Sequence, residues 1–461
     1  MTKDAEQIPD TVSATLSRWL AALEPAQIPG AVKAAAIDTV IDTTGLCIAA
    51  RNTDYVRALI AGWDGEGGCT ALGHGAGFGA AGAAMINGTA AHGEDFDNTF
   101  EGCPVHSGAV VVPAVFAAAE RYGVSGPEAL TGIAAGIEVM CRLGLVAQKG
   151  IHSAGFHPTA VLGAMGATAG VGVALGLNGR QLVDAFGVAG SMASGIIEYL
   201  ADGSWTKRMH AGWAASSGLR AALMGKTGFS GPGTVFEGTH GLFHSFAPSL
   251  DADFSPLTGA LGERWRGANL AFKPYACGTM AQPYVDCAVE LKEEGVEAAD
   301  ITAIVCEVGE GTVHRLWEPL KLKHAPPTPY GAKFSTPYCM AVGFVDGDAG
   351  LAQFTDAKIA DPAVLGFAAK IGYEIDPDNE YPANFTGHLR ATLKDGTVRE
   401  IRRGQMRGGA RAPLSRAELV TKAKKNIAYG GWDQARAERL IAFCRSFGDD
   451  TGPLTLAEFA A

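Results

Sequence analysis

The chain is 461 residues long with a formal net charge of −11; hydrophobic residues make up 47% of it and charged residues only 18%. This composition excludes a disordered chain, and the negative balance argues against a nucleic-acid binder, which needs a cationic footprint to displace phosphate counterions. The length exceeds one compact core, so more than one domain is expected, and the 62 glycines allow helices to approach closely.

Met1 to Asp10 is polar and acidic rather than basic then apolar, so no signal peptide is expected. Apolar residues at three- and four-residue intervals predict helices over 11–23 and 31–50. Gly77-Phe-Gly79-Ala-Ala-Gly82 fits a dinucleotide fingerprint, but that motif needs a preceding strand inside a βαβ unit and residues 65–75 read as loop, so nucleotide binding is not expected. Ser125-Gly-Pro-Glu128 is a capping box that opens a helix carrying Leu130, Ile133, Ile137 and Met140. Ala160 to Leu177 is uncharged, yet its apolarity comes mostly from Ala and Gly and it falls short of the ~20 residues that span a bilayer. It is expected to be a buried helix in a tight bundle, spanning 159–176, with further helices over 179–195 and 208–226.

The texture changes after about residue 268. Ile301 to Val308 reads as a strand, Leu389 to Ile401 as a hairpin turning at Asp395-Gly396, and 281–294 as a helix packed on that sheet. A second capping box, Ser415-Arg-Ala-Glu418, opens two C-terminal helices. The expected fold is therefore mainly α with a smaller α+β domain. A large helical domain covers 1–267 and regains the C-terminal helices of 412–461, while a lid-like mixed domain covers 268–411. The nine cysteines are odd in number, scattered and without a C-x-x-C pair, which points to a reduced cytoplasmic setting and away from an iron–sulfur cluster.

Several segments carry residues able to do chemistry. In Asn87-Gly-Thr-Ala-Ala-His-Gly-Glu-Asp-Phe-Asp-Asn-Thr99, Asp95 and Asp97 follow a predicted helix end, and His106 lies eleven residues beyond Asp95. A carboxylate that orients a histidine is a common acid/base unit; the alternatives are capping aspartates beside a surface histidine, or a D-x-D metal site lacking further ligands at a recognisable spacing. His157, in Gly155-Phe-His-Pro-Thr159, sits at a helix N-terminus, whose dipole disfavours the protonated imidazole; the bland alternative is a helix-entry residue. Lys207, Arg208 and His210 put three potential cations within four residues, suited to a bound carboxylate unless the segment is simply a solvated basic turn. Lys273-Pro-Tyr275 and Lys333 to Tyr338 each pair an ammonium with a phenol, although buried tyrosines usually only satisfy a core hydrogen bond.

Taken in order, the segments Asn87 to His92 with Asp95-Phe-Asp97, His106 with its small neighbours, Gly155 to Thr159 and Lys207-Arg-Met-His-Ala-Gly212 resemble the MmgE/PrpD family over nearly the whole chain. The resemblance implies a cofactor-independent and metal-free homodimer, with Asp95, His106, His157 and Lys207 around the substrate and Tyr338 as a fifth member. Arg208, His210, Lys273 and Lys333 are the accompanying substrate-binding candidates. Ser107 stands where many relatives have Pro, and Gly278 to Tyr284 follows Cys277 where a basic residue and a histidine often sit.

The chemistry implied is abstraction of a proton α to a carboxylate of a small di- or tricarboxylic acid, with fixed positive charge stabilising the enolate-like state. Lys207 and His106 would neutralise substrate carboxylates, Asp95 would polarise a histidine, and His157 would act as base. Tyr338 or a second histidine would protonate the departing hydroxyl. The expected reaction is dehydration of the 2-methylcitrate type. Epimerisation (iminodisuccinate-like) and decarboxylation of the cis-aconitate type are alternatives on the same scaffold, and a non-catalytic carboxylate-binding protein is a reading of another class. No nucleic-acid or membrane partner is expected.

Overall fold

The structure is a computed structural model that describes residues 10–461; of the acidic N-terminal segment, all but Asp10 lies outside the described residues. The chain divides into two compact units. The first comprises residues up to Gly93, Asp97–Leu270 and Gly430–Ala461; the second comprises Glu94–Phe96 and Ala271–Tyr429.

The first unit is built from helices α1 (Val12–Ala21), α2 (Gly30–Ala50), α3 (Ala80–Gly93), α4 (Gly108–Tyr122), α5 (Gly126–Ala147), α6 (Pro158–Ala174), α7 (Gly179–Met192) and α8 (Thr206–Lys226). The Ser125–Glu128 capping box forms, with the Glu128 carboxylate accepting from the Ser125 N–H at 2.9 Å. Helix α5 is long and apolar enough to cross a membrane, but 94% of that stretch is buried inside the fold, which makes it a core helix. The uncharged helix α6 is likewise buried along almost its whole length.

Small residues set how closely these helices cross. A Cβ added to Gly212 would lie 2.1 Å from the Met85 carbonyl, and one on Gly88 would lie 2.7 Å from the Cα of Gly212. Helices α3 and α8 therefore touch backbone to backbone, which only glycine permits. This contact sets the first turns of α8 against the end of α3. The Gly77 to Gly82 motif joins a short antiparallel ribbon to α3 rather than a βαβ unit, and Cβ atoms there would strike the Gly67 carbonyl and the Trp63 indole. Its glycines serve packing.

In the second unit, helices α9 (Gln282–Glu293), α10 (Thr336–Asp346) and α11 (Arg416–Tyr429) accompany a four-stranded sheet. Its strands are β1 (Ile301–Val308), β2 (Ile371–Ile375), β3 (Gly387–Leu393) and β4 (Val398–Arg403), in the spatial order β2-β1-β3-β4. β1 runs parallel to β2 and antiparallel to β3, and the β3–β4 hairpin turns through Gly396 at φ +86°. The second capping box opens α11, with the Ser415 N–H bonded to Glu418 at 2.8 Å. One expectation needs correction: α11 belongs to the second unit, and only α12 (Gln434–Ser446) and the residues around it return to the helical one. Capping boxes mark where a helix starts but carry no signal of which core it joins. All nine cysteines are buried and unpaired.

Candidate active site

Six polar side chains of the first unit gather where helix ends meet. His92 lies in the last turn of α3, Asp97 four residues past its end, and His106 two residues before α4 begins. His157 is the N-cap of α6, with Pro158 at the first helical position, while Lys207 and His210 fall in the opening turns of α8. The starts of three helices of fifteen residues or more thus carry His106, His157, Lys207 and His210. Exposed N–H groups and the positive dipole end favour an anion at each such start.

Asp97 organises half of the cluster. Its Oδ2 lies 2.8 Å from Nδ1 of His92 and 3.3 Å from Nδ1 of His106, and the latter nitrogen is also 2.9 Å from the Asn98 carbonyl. A carbonyl can only accept, so Nδ1 of His106 carries hydrogen and its Nε2 is the reactive nitrogen. The backbone is fixed around it: the His106 N–H donates to Thr159 Oγ1 at 3.2 Å, and Asn98 Oδ1 accepts from Gly108 N–H at 3.2 Å. Burial alone would push the Asp97 carboxyl up, but the His106 and His92 imidazoles outweigh it and hold the group well below the usual carboxylate range.

His157 and His210 form the other half, with their Nδ1 atoms 3.1 Å apart, so one donates to the other. The ring of His157 stacks on His92 at 5.7 Å, and Tyr199 stands edge-on to both His157 and His210. Backbone bonds from His157 N–H to Gly195 O and from Ile197 N–H to Gly155 O bring the Tyr199 segment to this place. Burial, followed by the neighbouring His92 and Lys207 charges, pushes His157 well below the ordinary histidine value. The same causes bring His210 down to about 4, and burial lowers His92 against the opposing pull of Asp97. The cluster therefore holds an anionic carboxylate among imidazoles, three of which, His92, His157 and His210, burial biases toward the neutral form.

Two buried atoms of this cluster, Nε2 of His92 and Oδ1 of Asp97, have no hydrogen-bond partner among the described residues. Each orphaned group costs about 1–3 kcal/mol, which a functional role explains better than a packing role. His92, Asp97 and His106 also present donor atoms within 4.8 Å of one another, the only feature here that could hold a metal ion among the described residues. Both Nδ1 atoms converge on one carboxylate oxygen at hydrogen-bond distance, so that Oδ2 can accept from the two imidazoles at once.

The expected site residues divide between the units. His106, His157 and His210 come together, with the half-buried Lys207 adding its charge to the field on His92, His157 and His210. Asp95 does not polarise His106; Asp97 does, because Asp95 turns to φ +55° in the second unit, where its carbonyl and carboxylate face Lys273 Nζ at 2.7 and 3.4 Å. Lys273 and Lys333, expected on substrate, bond instead to chain carbonyls, Lys333 to both the carbonyl and the carboxylate of Glu94. Tyr338 donates its hydroxyl to the Gln353 carbonyl at 2.8 Å in the core of the second unit, which commits the proton expected for a leaving group. Arg208 lies with its guanidinium 4.5 Å over the Tyr55 ring. His92 was given no role from sequence. Its signal was present as the one ionisable side chain in the small, apolar helix α3.

The helical unit carries this imidazole–carboxylate cluster, a set of groups able to hold and move protons, and a smaller α+β unit accompanies it in the chain. The chain belongs to the MmgE/PrpD family. Residues 14–255 match the MmgE/PrpD N-terminal domain and residues 275–445 the MmgE/PrpD C-terminal domain. Among curated proteins it is similar to a cis-aconitate decarboxylase-like protein, oryM, of Aspergillus oryzae, 26% identical and covering 93% of each chain. The cis-aconitate decarboxylase of Aspergillus terreus is 26% identical over 93% of this chain and 91% of its own, and that of Homo sapiens is 27% identical over 80% and 76%.

Proposed function

We propose that the protein is a lyase that removes a proton α to a carboxylate of a small di- or tricarboxylic acid, with dehydration as its reaction. The observation that carries this reading is the pairing of a neutral His157–His210 couple with an Asp97-bound His106 in one buried cluster. The substrate carboxylates are drawn by Lys207 and by the starts of α4, α6 and α8. His157 takes the α-proton through Nε2 when His210 accepts the hydrogen on its Nδ1. The electron pair left on carbon forms the double bond as the β-hydroxyl departs, and His106, with Asp97 as counterion, protonates that hydroxyl from Nε2 to release water. His92 holds Asp97 from its other side.

Decarboxylation is the second reading, favoured by the names of the similar proteins. Both begin from the same substrate class, and the site differs only in which group leaves. The protein is further proposed to act as a homodimer, in keeping with exposed Ile196, Leu200, Trp205 and Trp213 on the helical unit, and in the reduced cytoplasmic setting that nine unpaired thiols suit. The test is proton and carbon NMR of purified enzyme with citrate, 2-methylcitrate, cis-aconitate and iminodisuccinate. Alkene formation from a hydroxy acid supports dehydration; carbon dioxide loss moves the assignment to the second reading; no change in any acid rejects both.

A further inference from the structure

The three residues Glu94, Asp95 and Phe96 belong to the second unit although the residues on both sides of them in sequence belong to the first. Their backbone carbonyls are met in order by three buried ammonium groups. Lys333 Nζ donates to Glu94 O at 2.7 Å, Lys273 Nζ to Asp95 O at 2.7 Å and Lys422 Nζ to Phe96 O at 2.8 Å. Lys273 and Lys333 are each 2% exposed and Lys422 6%. The three come from separate places: Lys333 ends a short helical turn, Lys273 lies ahead of α9, and Lys422 lies inside α11.

Backbone carbonyls are ordinarily satisfied by backbone N–H groups, and an ammonium is among the most costly groups to bury. Spending three of them on consecutive carbonyls fixes the peptide planes of a segment that no helix or sheet ladder holds. The segment needs fixing, because Asp95 occupies the left-handed region, which persists for a non-glycine residue only where the surroundings over-determine it. Lys422 also stands 3.9 Å over the Phe96 ring, so the last residue of the segment is held by both its carbonyl and its side chain. The next residue along the chain is Asp97, whose carboxylate receives His92 and His106.

We propose that Lys422, together with Lys273 and Lys333, clamps the carbonyls of residues 94–96 and thereby sets the orientation of the Asp97 carboxylate, which makes Lys422 a positioning residue of the site. The proposal rests on the functional reading above for what Asp97 does, but not for its geometry. Lys422 borders a hollow of about 1090 Å³, so a side chain of similar length fits in its place. In Lys422→Met the carbonyl of Phe96 loses its donor while the stem and its packing remain.

The experiment compares wild type, Lys422→Met and Lys422→Arg in protein labelled with ¹⁵N-histidine, following the Nδ1–H resonances of His92 and His106 together with kcat, KM and the thermal midpoint. The expected result for Lys422→Met is an upfield shift or loss of those resonances and a kcat about tenfold or more lower, with KM changed less than about threefold. Lys422→Arg, which keeps a donor, should restore the resonances. If Lys422→Met does not fold, Lys422→Leu, which also carries no donor, is read by the same criteria. Unchanged resonances, whether or not the midpoint falls, overturn the clamp and leave Lys422 a structural residue. The resonances need no substrate, so a protein that turns over none of the acids loses the proposed reaction while the clamp is still judged.

Discussion

Replacing Asp97 by Asn tests the chemistry of the cluster with the smallest change of shape. The amide oxygen can take the place of Oδ2 and accept from both imidazoles, so the geometry at 2.8 and 3.3 Å can survive while the charge is lost. A hydrogen bond to a charged group contributes about 1.5–3 kcal/mol against about 0.5–1.5 for a neutral one, so two such bonds lose about 2–3 kcal/mol when the cationic imidazole is needed. At 1.36 kcal/mol per tenfold, that is a fall in kcat of about 30- to 150-fold. The amide NH₂ would replace Oδ1, an atom already without a partner, so no new group is orphaned and the fold should lose at most about 2–3 kcal/mol from the two weakened bonds. Steady-state kinetics at saturating substrate and urea unfolding measure the two effects. A folded Asp97→Asn enzyme with kcat within threefold of wild type would refute the role of Asp97 as counterion to the proton donor.

Lys207→Ala should raise KM about 30-fold, as loss of about 2 kcal/mol of carboxylate binding requires, and should raise the titration points of His157 and His210 by removing a charge that depresses them; the pH–rate profile reports both. His210 is lowered to about 4 in the folded protein from an ordinary 6.5, so the unfolded chain binds more protons below 6.5. The contribution of His210 to stability is thus complete above pH 6.5 and is lost as pH falls toward 4, and His210→Gln should flatten that decline in denaturation series. Arg142→Met should destabilise the helical unit by about 3–5 kcal/mol, because it strands the buried Glu138 and frees the carbonyls of Pro256, Gly259, Ala260 and Arg264 that Arg142 gathers. Urea unfolding reads that loss.

Much of the fold was legible because it rests on local signals. The capping boxes at Ser125 and Ser415, the period of Ile301 to Val308 and the Asp395-Gly396 turn each specify an element without reference to distant residues. Two histidines of the site were legible for the same reason, since His157 beside Pro158 and His210 after Lys207 announce helix starts, whereas His92, at the end of an apolar helix, carries no such local mark. The choice between Asp95 and Asp97 was not, since two residues along an irregular segment reverse which way a carboxylate faces, and the deciding contacts come from Lys273, Lys333 and Lys422 far away in sequence. Those lysines also explain why a cation near a tyrosine motif suggested a substrate anchor. A charge that binds a chain carbonyl has the same sequence signature as one that binds a ligand.

The central claim is that His157 lifts the α-proton of the substrate. Incubation in D₂O followed by NMR of the recovered substrate should show deuterium entering at the carbon next to the carboxylate with wild-type enzyme and none with a folded His157→Gln enzyme. Exchange that continues at the wild-type rate in His157→Gln would contradict the account and assign the base to another residue.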